Sequence, residues 1–340
     1  MSASEVLVET TRGGIVESVH HGSLVAVDAT GQVRWSIGDT RLVSFPRSSL
    51  KPFQVLALVA RGGVERFGLE PRDLAIASAS HSGEAIHVDA VCGLLGKIDA
   101  SPEALACGTH PPMDEDAAER LERSGGQPSA VHNNCSGKHA GMLALARLLG
   151  APLDGYIDPN HPAQKAIRET LIEVLDLDPA HLPVGIDGCS APAYAVPLDR
   201  LARGFALLGD PARSESAWRE ALRTVAQAMR AHPELIGGTR DRVDTDLMRT
   251  GPGVVAKGGA EGYFAMGSGD GLGVAFKILD GDAAHRARSA VAVAVGQRLG
   301  WLDRAALVEY GPSLPIRNWA GRQTGEVRVA ASLDTTRLER

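Results

Sequence analysis

The stretch FPRSSLKPFQ, residues 45–54, sets a hydroxyl and an amine three residues apart, and the rest of the chain is best read outward from it. Ser48 and Lys51 form an S-x-x-K pair. On a helix, residues i and i+3 share a face about 5–6 Å apart at Cβ, so the amine can reach the hydroxyl proton. Ser48 or Ser49 reads as the N-cap, and Pro52 is tolerated in a first turn whose N–H groups have no intrahelical partner. An apolar run from Phe53 to Ala60 then carries the helix inward to a stop at Gly62-Gly63. An unperturbed lysine titrates near about 10.4, so a lysine base working near neutrality needs burial or a neighbouring cation to favour its neutral form. The same four residues read equally as the cap of a surface helix.

Composition weighs on that choice. Of 35 basic residues only six are lysines, at 51, 97, 138, 165, 257 and 277. Arginine would serve wherever mere positive charge is needed, whereas lysine can lose its proton when buried. Three of the six stand beside serine, cysteine or glycine: SSLK at Lys51, CSGK at Lys138 and KGG from Lys257.

At 340 residues, 44% hydrophobic and 22% charged, the chain has the composition of an ordinary soluble globule with ample core. A formal charge of −6 without a basic stripe argues against a nucleic-acid partner. The N-terminal segment lacks a secretory signal pattern and no run approaches the roughly 20 apolar residues of a membrane span, so a cytoplasmic protein without membrane partners is expected. Four cysteines do not make a disulfide framework. Cys92 and Cys107 read as packed core thiols, while Cys135 and Cys189 lie in polar, glycine-containing turns.

Residues 5–37 read as short strands, VLVET, GIVESV, SLVAVDA and QVRWSI, separated by turns at RGG, HHG and TG. Helical patterns follow at 53–60, 84–96, 115–123, 138–149, 161–176, 194–208 and 215–231. Strands return at 253–257, 261–266 and 272–279, with GSGDG as a hairpin loop, then a helix at 282–300 and a last strand in EVRVAAS. Strands at both ends imply one sheet shared by the termini. The expectation is an α+β fold: one catalytic domain over 1–340, its sheet part about residues 1–60 and 250–335 and its helical part about 61–249.

Five polar clusters carry candidate chemistry. ASASHSGE, 77–84, holds Ser80 and His81 in a turn before a helix, either a proton relay or a plain turn with Ser82 as cap. HNNCSGKHAGM, 132–142, sets Cys135 at a helix N-terminus, where thiolates are stabilised, with Lys138 three residues on. The pair suits a metal, with His132 or His139 as the conventional third donor, or the glycines and asparagines form an anion-holding nest. GIDGCSAPAYAVPL, 185–198, adds Asp187 and Cys189. In GGTRDRVDTDLM, 237–248, Arg240, Asp241, Arg242 and Asp244 either anchor an amino acid or form capping and surface ion pairs. GVVAKGGAEGYFAMG, 253–267, places Lys257 at a strand end, where it lowers the Lys51 pKa, serves a second serine or stands solvated on an edge.

The S-x-x-K, polar serine and K-G-G order is similar to that of serine β-lactamases and penicillin-binding proteins. PRSSLKPFQ, SASHSGE, HNNCSGKHAGM, GIDGCSAPAYAVPL, RDRVDTDLM and AKGGAEG together resemble the Rhizobium etli-type L-asparaginases over residues 5 to about 330. The resemblance implies a three-layer αβα sandwich of β-lactamase type with a mainly antiparallel sheet, a homodimer, and hydrolysis of L-asparagine to L-aspartate and ammonia. It implies two Ser–Lys pairs, Ser48 with Lys51 and Ser80 with Lys257. It also implies a zinc ion held by Cys135, Lys138 and Cys189, supporting substrate binding rather than the chemical step. Arg47, His81 and Asp187 are the candidate substrate contacts. Alternatives are a glutaminase, a β-lactam or ester hydrolase, or a non-catalytic zinc-dependent amino-acid sensor.

Overall fold

The computed structural model describes residues 4–214 and 218–335. The chain divides into two compact units, one of residues 1–49, 197–210 and 246–340, the other of residues 50–196 and 211–245. It has the expected mixture of helices with an antiparallel sheet drawn from both ends of the sequence.

In the first unit, eight strands form one sheet. Its main path runs Ser313–Arg317, Gln323–Val329, Glu5–Arg12, Ile15–Asp28, Leu272–Ile278, Tyr263–Gly267 and Val255–Gly258, with Val33–Ile37 also paired to Ile15–Asp28. Every pairing is antiparallel. HHG, residues 20–22, is a correction: the chain does not turn there but continues as one strand from Ile15 to Asp28. Gly22 faces Glu5 on one side and Ile278 on the other, and a Cβ there would lie 2.4 Å from the Lys277 carbonyl. The glycine permits close strand approach rather than a turn.

Consecutive residues Gly273–Phe276 are all buried, as expected of a strand covered on both faces. The helix Leu198–Gly209 packs on this strand and its neighbours. Paired Gly273 and Gly267 admit it: a Cβ on either would come within about 2 Å of the helix backbone, 2.0 Å from Ala202 O and 1.9 Å from Phe205 O. Phe264 and Phe276, opposite one another across two strands, stack at 5.6 Å, a geometry contributing about 0.5–1.5 kcal/mol beyond area burial. A second helix, Ala287–Arg298, packs against Glu5–Arg12, Tyr263–Gly267 and Gln323–Val329. Its N-terminus is closed by Asp282, which accepts from the amides of Arg286, Ala287 and Arg288.

The second unit is helical, with one two-stranded hairpin, Val184–Ile186 with Pro192–Tyr194. The helix Lys51–Val59 is buried from Lys51 to Leu58, which marks a central helix rather than an amphipathic surface one. It packs on the helices Ser136–Leu148, Pro162–Leu175 and Trp218–Ala231. Short helices at Gly63–Phe67 and Pro71–Ala77 fill a stretch that the sequence reading left without elements. Cys92 is a second correction: it is exposed. The buried positions of its helix are His87, Ala90, Val91, Leu94 and Leu95, a three-to-four period that residue 92 misses. The helix expected at 194–208 begins only at Leu198, because residues 192–194 are committed to the hairpin. Residues 215–217 of the helix expected from 215 lie outside the described ones, and its remainder runs Trp218–Ala231.

Candidate active site

The S-x-x-K segment does not begin as expected. Neither serine caps the α-helix: residues Arg47–Leu50 form a turn of 3-10 helix that continues into the α-helix at Lys51, whose N-cap is Leu50. In the first unit the Ser49 hydroxyl instead donates to the Lys257 carbonyl at 3.0 Å. Gly259 lets this segment lie close, since a Cβ there would stand 2.3 Å from the Pro46 carbonyl. The segment carrying Ser48 is thus tied to the strand carrying Lys257. Arg47, next to Ser48, takes a positive φ of 53°, a strained backbone state for a non-glycine residue. Lys257 is fully buried, which removes the solvated-edge reading, and its amine donates to the Gly258 carbonyl at 2.9 Å.

In the second unit the Lys51 amine is buried and donates to the carbonyls of Ala79 at 2.7 Å and Asn134 at 3.4 Å. The Asn134 side chain donates to the Ser80 hydroxyl at 3.5 Å. Two polar clusters far apart in sequence therefore converge on Lys51. Gly137 allows it: a Cβ there would sit 2.1 Å from the Ile76 carbonyl, so only glycine lets the 135–138 turn press against the segment leading to Ser80.

Burial lowers the Lys51 pKa; the nearby Cys135 thiolate opposes this and the Lys138 cation lowers it further. The like-charged neighbour that lowers it is Lys138. Cys135 stands at the N-cap of Ser136–Leu148 as expected. A hydrogen bond from Cys189 draws its pKa well down against the cost of burial, and Lys51 and Lys138 act the same way. Cys189 is pushed up by donating that bond and by burial. Lys138 lies 2.9 Å from the Cys189 sulfur and 3.8 Å from an Asp187 carboxylate oxygen. Burial disfavours its charge, but Cys135, Cys189 and Asp187 outweigh burial and raise its pKa. Asp187 itself is set by the hairpin, its amide donating to Ala191 O across a turn in which Ser190 has φ 69°.

Among the described residues no three His, Cys, Asp or Glu side chains gather as a metal site. His132 Nδ1 accepts from the Ser129 amide, and His139 Nδ1 bonds the Tyr156 hydroxyl at 2.6 Å, its Nε2 being buried without a hydrogen-bond partner. The cluster of two sulfurs, an amine and a carboxylate does suit zinc by donor chemistry, provided Lys138 gives up its proton on binding.

His81 is fully buried, one ring nitrogen accepting from the Gly83 amide at 3.2 Å and the other bonded to Ser136 at 2.9 Å, which leaves neither ring nitrogen for a ligand. Ser82 does not cap the following helix; Glu84 does, in a reciprocal box with His87. Arg240 pairs with Asp114 and Asp116 on the surface. Asn134 was missed by sequence reasoning, its amide lost within a run of polar letters.

Two solved structures illustrate distant likeness. A beta-lactamase from Mycobacterium bovis is 15% identical, with a TM-score of 0.44, covering 81% of this chain and 93% of its own. Mglu in its native form is 15% identical, with a TM-score of 0.46, covering 84% and 67%. No curated protein sequence matches the chain. The family described as L-asparaginase II, in contrast, matches residues 8–329. That span takes in every cluster described above, and the chain belongs to the L-asparaginase II family of amidohydrolases.

Proposed function

We propose that this protein hydrolyses L-asparagine to L-aspartate and ammonia through a serine nucleophile and an acyl-enzyme intermediate. The observation that carries this reading is the buried Lys51 amine, whose surroundings favour the neutral, basic form, one helical turn beyond Ser48. Neutral Lys51 takes the Ser48 proton, the serine oxygen bonds to the side-chain amide carbon, and the carbon–nitrogen bond breaks as ammonia departs with a proton. Water then cleaves the ester and returns the serine proton. Asn134 links Lys51 to Ser80, which supports Ser80 as the second hydroxyl. The second pair implied by the resemblance, Ser80 with Lys257, is part of the proposal.

Cys135, Cys189 and Lys138 would hold zinc. When bound, zinc would act there as a Lewis acid that orients a polar group of the substrate. A homodimer in the cytoplasm completes the reading; among the described residues no helix is long and apolar enough to cross a membrane. The test is ammonia release from asparagine, with glutamine in parallel, by wild type and Ser48→Ala. Loss of release in a variant with unchanged circular dichroism is expected; a Ser48→Ala protein that keeps substantial activity overturns the assignment.

A further inference from the structure

Arg242 directs its guanidinium at protein acceptors. Nη1 donates to the Ser82 hydroxyl and the Gly237 carbonyl, each at 3.0 Å, and Nη2 donates to the Ser80 carbonyl at 2.9 Å. Nε faces the buried Asp244 carboxylate at 3.5 Å, which supplies the counter-charge. Other bonds join the same two segments. The Ser80 amide donates to Ile236 O at 3.0 Å and the Ser82 hydroxyl to Gly237 O at 3.0 Å. Thr239 donates through its amide and its hydroxyl to the Glu84 carboxylate at 2.9 and 2.6 Å. Gly238 keeps the contact close, since a Cβ would lie 2.7 Å from the Ser82 hydroxyl.

We propose that Arg242 is a positioning residue: it clasps the Ser80–Ser82 segment to the 236–244 segment and thereby sets the direction of the Ser80 hydroxyl. With the Ser80 amide held by Ile236 and its carbonyl by Arg242, the peptide planes on both sides of Ser80 are fixed. The hydroxyl is then left with one torsion, about χ1. No other single residue of the 236–244 segment binds both Ser80 and Ser82 among the bonds described. A planar fork is required, because its N–H groups diverge onto acceptors on separate segments; a lysine presents one nitrogen and cannot span them.

That the Ser80 hydroxyl takes part in amide hydrolysis rests on the function proposed above; the clasp itself does not. The test compares wild type, Arg242→Lys, Arg242→Gln, Ser80→Ala and the double variant Arg242→Lys/Ser80→Ala. One measurement is ammonia release from asparagine. The other is deuterium uptake by the amides of residues 79–84, with helix Pro162–Leu175 as the internal reference. The expected result is faster exchange in 79–84 but not in the reference helix for both Arg242 variants. Arg242→Lys should lower kcat about 10- to 100-fold, the scale of a displaced reacting group, with KM nearly unchanged. The double variant should be no slower than Ser80→Ala alone. Unchanged exchange at 79–84, exchange raised equally in the reference helix, or an Arg242→Lys loss that multiplies in full with that of Ser80→Ala overturns the proposal. If wild type releases no ammonia, the functional reading fails and the exchange comparison alone decides the clasp.

Discussion

Replacing Lys51 by methionine isolates the amine while keeping an unbranched side chain in the buried first turn of its helix. Two hydrogen bonds are lost, to Ala79 O and Asn134 O, each with a net worth of about 1 kcal/mol. Their loss is offset by removal of an amine whose burial is itself unfavourable, so the stability change should be about 0–2 kcal/mol. That is small against a typical total of about 5–15 kcal/mol, and Lys51→Met should fold. The catalytic loss should be far larger: about 10²- to 10⁴-fold in kcat, the range for removing a positioned general base, or about 3–5 kcal/mol of barrier. The assay is coupled ammonia release as a function of pH, alongside urea unfolding. Neutral amine is the active base, so wild-type kcat/KM should rise with pH through a limb below the ordinary lysine value of 10.5, because burial and Lys138 lower the Lys51 pKa despite the opposing Cys135 thiolate. Lys51→Met should erase that limb. A variant within tenfold of wild type, or a limb at the ordinary lysine value, refutes the reasoning.

Zinc added to metal-free protein should remain at about one ion per chain after desalting by elemental analysis, and Cys135→Ser/Cys189→Ser should retain none; equal retention by both proteins would sink the assignment. Binding should also protect thiols from a disulfide reagent, and chelation should raise KM more than it lowers kcat. The His81 pKa is lowered, by burial first and then by His87 and Lys51, so the unfolded chain takes up protons before the folded one. That stability is present above pH 6.5 and lost as pH falls through the lower folded value; urea midpoints should drop below pH 6.5, less steeply in His81→Asn. Gly137→Ala should destabilise by more than about 2 kcal/mol, because its Cβ meets a backbone carbonyl at 2.1 Å. Gly93→Ala, in the helix Ala85–Lys97 with nothing within 4 Å, should stabilise by about 0.5–1 kcal/mol; urea unfolding reads both.

Local patterns in the chain were sufficient for the helices Glu115–Arg123 and Pro162–Leu175 and for the strand Leu272–Ile278, since periodicity and turn residues act within a few positions. They failed at Gly22, and they did not mark Gly137, Gly267 or Gly273 as points of close backbone approach. A glycine that admits a neighbouring backbone and one that starts a turn look alike until the neighbour is in place. Hydroxyls misled in the same way. Ser49 and Ser82 have the composition of caps, yet their partners are Lys257 O and Gly237 O, more than 150 residues away.

By itself the sequence determined the family, through long words of unlike residues, and it singled out Lys51, Lys138, Cys135 and Cys189 because scarce, chemically versatile side chains stood in polar, glycine-rich settings. Only the tertiary structure decided what those groups are electrically. Whether a lysine is a base or a cation depends on what surrounds its nitrogen: Lys51 is buried against carbonyls with a cation nearby, while Lys138 faces the Cys189 sulfur and the Asp187 carboxylate, with the Cys135 charge nearby. Those surroundings come from segments up to 138 residues apart, the separation of Lys51 from Cys189, and a field of that origin leaves no mark in the letters on either side of the residue it acts upon.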